Sequence, residues 1–232
     1  MPLSEELVAR ARKFDRKAVE AVLVAYHPVV YRIAAALSGR RGLAESIARR
    51  VLYRSLAHVG SWKDPAVPAR WFHHHTVMAS RRYANKPPAA ADDALLPEAA
   101  PPAYPAYLKA LRGLPPQQRE AYVLFVGEQL DLRRTAQAMD YSTGATGTHL
   151  ESARRSLRGL AGDAAALCEA TFTTAYGKLT PPDASAVPAA EFAVARYVWP
   201  RRIKWVASVL FVSGTTTAIA YGAWRIYPLL DW

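Results

Sequence analysis

Apolar residues recur every three or four positions over most of the chain, the spacing that lines one face of a helix. Leu3 to Ala11 reads as a short amphipathic helix. From Lys17 onward, Val19, Val22, Tyr26, Val30, Ile33 and Leu37 form one core-facing stripe. Pro28 interrupts it and predicts a kink or a restart, because proline removes a backbone donor and crowds the preceding turn. Gly39 and Gly42 bracket a basic turn, SGRRG. A second helix over Leu43 to Val59 then turns Leu43, Ile47 and Val51 inward, with Leu52 and Leu56 as further candidates. Asp64 to Pro68 reads as a loop, with Pro68 placed to start a third helix, Ala69 to Ala84, carrying Trp71, Phe72, Val77, Met78 and Tyr83. Residues 1–85 are therefore expected to form an all-helical module.

Residues 86–106 change character. Proline and alanine dominate, little could build a core, and the stretch reads as a semi-extended linker. A second module is expected over residues 107–162. Leu108 and Leu111 lead to Gly113, then Leu114-Pro115-Pro116 starts a helix with Ala121, Val123, Leu124 and Phe125 on its apolar face. Two further helices follow across a tight turn. Asp131 is a candidate N-cap for Leu132, Thr135, Ala136 and Met139; Asp140 and Tyr141 break the pattern; Ser142 or Thr143 can cap the next helix. In that helix Leu150, Ala153 and Leu157 share one face, and Arg154, Arg155 and Arg158 lie on more exposed ones. This is the helix-turn-helix plan, in which the second helix enters a major groove and arginines neutralise phosphates. A small helical hairpin with a solvated basic face fits the same pattern.

Charge favours the first alternative. The 232 residues carry 30 Lys and Arg against 19 Asp and Glu, a formal charge of +11, which suits nucleic acid or an anionic membrane surface. The first 85 residues hold 15 of the basic residues and six acidic ones. The single cysteine, Cys168, allows no internal disulfide and is expected to be a small apolar filler. The first twenty residues lack the apolar segment of a signal peptide. His73, His74 and His75 are consecutive on a helix, so their rings point about 100° apart and no metal site is expected. Trp62, Trp71, Phe72 and Tyr83 are candidates for stacking on unpaired bases or for the core, with Trp71 assigned to the core. No nucleophile–base constellation is visible, so neither an enzymatic activity nor a cofactor is expected.

The tail is of a different kind. Residues 163–202 are rich in alanine, proline and threonine, with a short helix expected over Ala164 to Tyr176. Trp205 to Trp224 then runs twenty residues without a charge, about 30 Å as a helix and so long enough to span a bilayer. A single transmembrane helix is expected over residues 203–228. Arg201, Arg202 and Lys204 outnumber Arg225, which puts the N-terminal side in the cytoplasm. A buried helix of a soluble domain is the alternative, with the polar stretch Ser213 to Thr217 in its favour. Gly214, Ala218 and Gly222 form a small-residue stripe on which self-association can be built.

In this order the parts resemble a bacterial sigma factor of the sigma-70 family, specifically the extracytoplasmic-function (ECF) type that keeps regions 2 and 4. Leu114-Pro115, Arg119, Leu130, Ala136, Ser142, Gly144, Leu150, Ala153-Arg154 and Leu157 carry the resemblance to region 4. Tyr26, Pro28, Val30-Tyr31, Ala44-Glu45, Val51 and Trp71 carry a looser one to region 2, so that it covers Phe14 to Gly162. The resemblance implies an all-α protein with no enzymatic activity. Its partners would be promoter DNA, core RNA polymerase and, with the tail, the cytoplasmic membrane; an anti-sigma factor is a further possible partner. Polymerase docking would fall to Glu45, Ser46, Arg49 and Arg50, and promoter opening to Phe72, His74, Arg81, Arg82 and Tyr83. Upstream DNA would be read by Ser142, Thr143, Thr146, Gly147, His149, Arg154, Arg155 and Arg158. Ser46, Arg49 and Arg50 stand where the family carries an acidic residue and Gln-Glu, and Met78 where it often has Asn. Gly147 and His149 replace Lys and Arg, and Arg134 replaces a Glu. The reversed charge leaves a second reading open: a membrane-bound binding protein that kept the fold and no longer docks on polymerase.

Overall fold

Four helices open in the same way. The side chains of Ser4, Asp15, Asp131 and Ser142 each accept the backbone N–H three residues on, from Leu7, Ala18, Arg134 and Ala145, at 2.8–3.2 Å. Each bond satisfies a donor that the first helical turn leaves free. The computed structural model describes residues 3–83, 94–97, 99–182 and 186–197, and they contain no strand. The helices are α1 (Glu5–Arg12), α2 (Arg16–Ser38), α3 (Arg41–Ser55), α4 (Ala66–Arg81), α5 (Tyr104–Gly113), α6 (Pro116–Tyr122), α7 (Leu132–Met139), α8 (Thr143–Ala161) and α9 (Ala165–Gly177). A tenth, α10, covers residues 186–197. Between α6 and α7 the chain widens into a π-turn, Val123–Gly127.

α2 is the centre of the first half and packs on α1, α3 and α4. It is continuous through Pro28, where the sequence predicted a kink or a restart. Leu23 and His27 on one side of the proline and Val30 and Tyr31 on the other are all buried. Packing on both flanks outweighs the missing hydrogen bond, a loss of about 3 kcal/mol. α2 is also the one described helix long and apolar enough to cross a membrane, and its apolar positions are mostly buried in this core. Gly39 ends it in the left-handed conformation, φ 73°, which glycine adopts without strain. α4 starts at Ala66 rather than Ala69, because Asp64 accepts the N–H groups of Ala66 and Val67 and so begins the helix before Pro68.

The described residues up to 193 form one compact unit, and 194–197, the end of α10, fall outside it. Within that unit the two expected modules pack together: α4 lies on α7, and α2 meets both the π-turn and α9. The end of the expected linker takes part in this core. Leu95 and Tyr104 are fully buried, and the Tyr104 hydroxyl donates to the Leu95 carbonyl at 3.1 Å. Ala94 is buried as well, and its N–H donates to the Gly39 carbonyl at 3.1 Å. Cys168 is buried, as a small filler would be. The span expected over residues 203–228, with Gly214, Ala218 and Gly222, lies outside the described residues.

Candidate nucleic-acid interface

The helix-turn-helix is set by local chemistry. Asp131 caps α7, and Thr135, Ala136, Ala138 and Met139 face inward. Asp140 closes α7 in the left-handed conformation, φ 63°, which aspartate tolerates better than most residues. Tyr141 donates its N–H back to the Ala136 carbonyl at 3.1 Å. Ser142, of the two candidates, caps α8. α8 is fixed from below by Thr146, Leu150, Ala153 and Leu157, which pack on α5, α6 and α7.

This arrangement sorts the candidate DNA-reading residues. Ser142 and Thr143, at the start of α8, are exposed, as are Arg155 and Arg158 farther along. Gly147 and His149 are half-buried, and the His149 ring meets Tyr141 edge to face at 5.6 Å. Thr146 is 0% exposed and cannot touch DNA in this structure, a correction to the sequence reading. It lies one turn after the cap on the core-facing side of α8. Arg154 also turns inward: its guanidinium lies over the Phe125 ring at 5.3 Å and reaches Glu169 of α9 at 3.4 Å. The exposed remainder is a helix start flanked by hydroxyls and a C-terminal half carrying two exposed arginines. It can place donors at base edges and cations at phosphates.

The candidates for promoter opening are less uniform. Phe72 is 0% exposed, stacked on Tyr26 at 4.6 Å and beside Trp62, so it cannot stack on a base in this structure. Trp71, expected in the core, is half-buried instead and stacks on His75 at 3.8 Å. Phe72, the next residue on α4, takes the face that is buried against Tyr26 of α2, and Trp71 is left at its edge. His74 is half-buried and meets His75 edge to face. Arg82 is exposed and Tyr83 half-buried. Arg81 is engaged: its guanidinium donates to both carboxylate oxygens of Glu120 at 2.9 and 2.8 Å and to the Met139 carbonyl at 2.8 Å. It therefore ties α4 to α6 and to the end of α7. The polymerase-docking candidates lie on α3, with Ser46, Arg49 and Arg50 exposed and Glu45 half-buried.

A buried charge cluster was missing from the sequence reading. Glu128, 11% exposed, accepts from the Tyr176 hydroxyl at 2.7 Å and from Arg32 at 3.3 and 3.4 Å, and His73 Nε2 lies 4.0 Å away. Burial alone would raise the carboxyl of Glu128, but the approaching His73 ring, the Arg32 charge and the Tyr176 hydroxyl together hold it below its ordinary value. Nearby, Tyr107 and Tyr122 share a hydrogen bond, and Tyr122 also reaches Glu169 at 3.2 Å. Burial pushes the Tyr107 phenol up to about 12. Arg32 and Glu128 are 96 positions apart in sequence, so no local pattern could have joined them.

Residues 105–157 match the family model of Sigma-70, region 4. The matched segment runs from α5 through most of α8 and contains every residue that carried the region 4 resemblance. It supports a sigma factor-like role in transcription, with promoter DNA and RNA polymerase as the partners the region 4 family implies. The search of curated proteins found no match to the chain.

Proposed function

We propose that this protein is a sigma factor of the ECF type that directs RNA polymerase to promoters from the cytoplasmic face of a bacterial membrane. The observation that carries the reading is the capped α7–α8 pair, with its exposed helix start and exposed Arg155 and Arg158, inside the segment that matches region 4. α1–α4 would be the region 2-like half, docking through the α3 face of Glu45, Ser46, Arg49 and Arg50, with His74, Arg82 and Tyr83 near the opened strand. The tether rests on the uncharged run Trp205 to Trp224 and on the basic residues that precede it. No bond is made or broken in this role.

A second reading has a specific observation in its favour. Arg49 and Arg50 are exposed and basic where the resemblance calls for acidic and amide groups. A sigma-derived membrane protein that binds DNA or another protein, without polymerase, would tolerate that reversal. The deciding experiment incubates the full chain in detergent or nanodiscs with core RNA polymerase, then assays promoter-dependent run-off transcription. Complex formation with transcription is expected. No complex from a chain whose circular dichroism is helical would leave the second reading.

A further inference from the structure

The segment that follows the helix-turn-helix lies beyond the region 4 match, yet it is built into the core of both halves. α9 packs on α8 and α5 of one half and on α2 of the other. Its anchor is Tyr176, 1% exposed, whose hydroxyl donates to Glu128 and whose ring faces the Arg32 guanidinium at 6.0 Å. The socket for that ring is specific. A Cβ on Gly127 would lie 2.8 Å from Tyr176 Cδ2, so only glycine lets the ring close on the π-turn. Arg32 belongs to α2 and His73 to α4, while Glu128 follows α6 and Tyr176 ends α9. Four elements from both halves thus meet at one carboxylate.

The chain then returns to the first half. In α10, Ala189, Ala190 and Ala193 are buried. Pro188, Ala189 and Phe192 line a cleft of 250 Å³ with His27, Glu45 and Arg49, so α10 lies along the edge of the α3 face proposed to meet polymerase.

We propose that α9 and the first part of α10 are an intramolecular clamp: α9 fastens the two halves together through the Glu128 cluster, and residues 186–193 of α10 occupy one edge of the α3 face. The clamp rests on the sigma-like reading only for what it restrains, the binding of polymerase; the closure itself stands on the contacts. In this closed state α4 and α7 share an interface, Arg81 is bound to Glu120 on α6, and the two halves form one compact unit. A factor that must place region 2 and region 4 on separate promoter elements has to release it.

The test places spin labels at Glu6→Cys on α1 and Glu151→Cys on α8, both exposed, in the full chain; native Cys168 is buried. The reference chain should give one narrow distance distribution. Arg32→Glu, which sets two carboxylates against each other, should add longer distances. The charge swap Arg32→Glu with Glu128→Arg should restore the narrow distribution, an outcome that general destabilisation would not produce. Core polymerase should bind the Arg32→Glu chain about ten-fold more tightly than the reference, an ordinary size for coupling within one molecule, and the swap should reverse the gain. A folded Arg32→Glu chain with unchanged distances overturns the clamp. Opening without a change in a measurable polymerase affinity overturns its inhibitory role. Opening in a chain that never binds polymerase upholds the clamp and removes the sigma-like reading instead. If Arg32→Glu does not fold, Gly127→Ala supplies the same distance measurement by displacing the Tyr176 ring, and an unchanged distribution there overturns the clamp.

Discussion

Glu128 and Thr146 are both buried polar side chains, and they differ in what surrounds them. Glu128 has cationic and hydroxyl partners that favour its charged form, so its folded-state pKa is depressed. The stability it contributes is complete above the unfolded value of about 4.3 and is lost as pH falls through the lower folded value. Glu128→Gln should therefore lower stability by about 1–3 kcal/mol at pH 7, as the loss of charge-assisted bonds implies. Thermal melts at decreasing pH should show the gap between variant and reference closing below about pH 4; a gap independent of pH would mean that the charge is immaterial. Thr146 has the opposite problem, since its hydroxyl finds no hydrogen-bond partner among the described residues. Thr146→Val keeps the shape and removes an unpaired polar group, so stability should be unchanged or slightly raised. DNA affinity should also be unchanged, because the side chain faces the core. A marked loss of affinity in a binding titration would place position 146 at the interface after all.

At the scale of elements, what was legible in the sequence was local. The caps at Asp131 and Ser142, the break at Asp140 and the stripe Leu150, Ala153 and Leu157 all depend on residues within one or two turns, and the structure has each of them. The uninterrupted course of α2 past Pro28 was not legible, because the force that holds it comes from α1, α3 and α4. The same limit applies to α4, where periodicity allows both Trp71 and Phe72 as core residues and only the position of Tyr26 on α2 decides between them. For α8 the exposed face makes a quantitative prediction. If Arg155 and Arg158 contact phosphates, each substitution by Ala should weaken binding similarly on all DNA sequences. Each should also reduce the slope of log affinity against log salt by about one unit. Salt titrations on specific and unrelated duplexes read both effects. Substitution of Arg154 should instead disturb the α8–α9 contact through Glu169, with the salt slope kept.

At the scale of the molecule, the sequence suggested two modules on a semi-extended Pro/Ala linker, and the structure has them packed together. The charges that join them are distant in sequence, and nothing in the local pattern marked Arg32, Glu120 or Glu128. Arg81 shows the consequence. On the pattern of α4 it is one of two arginines at a helix end, open to a phosphate; in the structure it closes on Glu120, whose side chain is only 4% exposed. Removing Arg81 would leave that carboxylate buried beside the Met139 carbonyl without a cation, and removing Glu120 would leave a guanidinium with half its bonds. Arg81→Ala should therefore cost about 2–3 kcal/mol, less than the figure for a fully buried pair because a third of Arg81 is open to water. The double variant Arg81→Ala with Glu120→Ala should cost less than the sum of the two single ones, by about 1–2 kcal/mol of coupling. Denaturant unfolding of the four proteins measures that cycle. Additive losses would mean that the two residues act separately and that the contact of α4 with α6 does not rest on this pair. Coupled losses, with the distance between α1 and α8 growing in Arg81→Ala, would place this pair beside the Glu128 cluster as a second point at which the two halves are fastened.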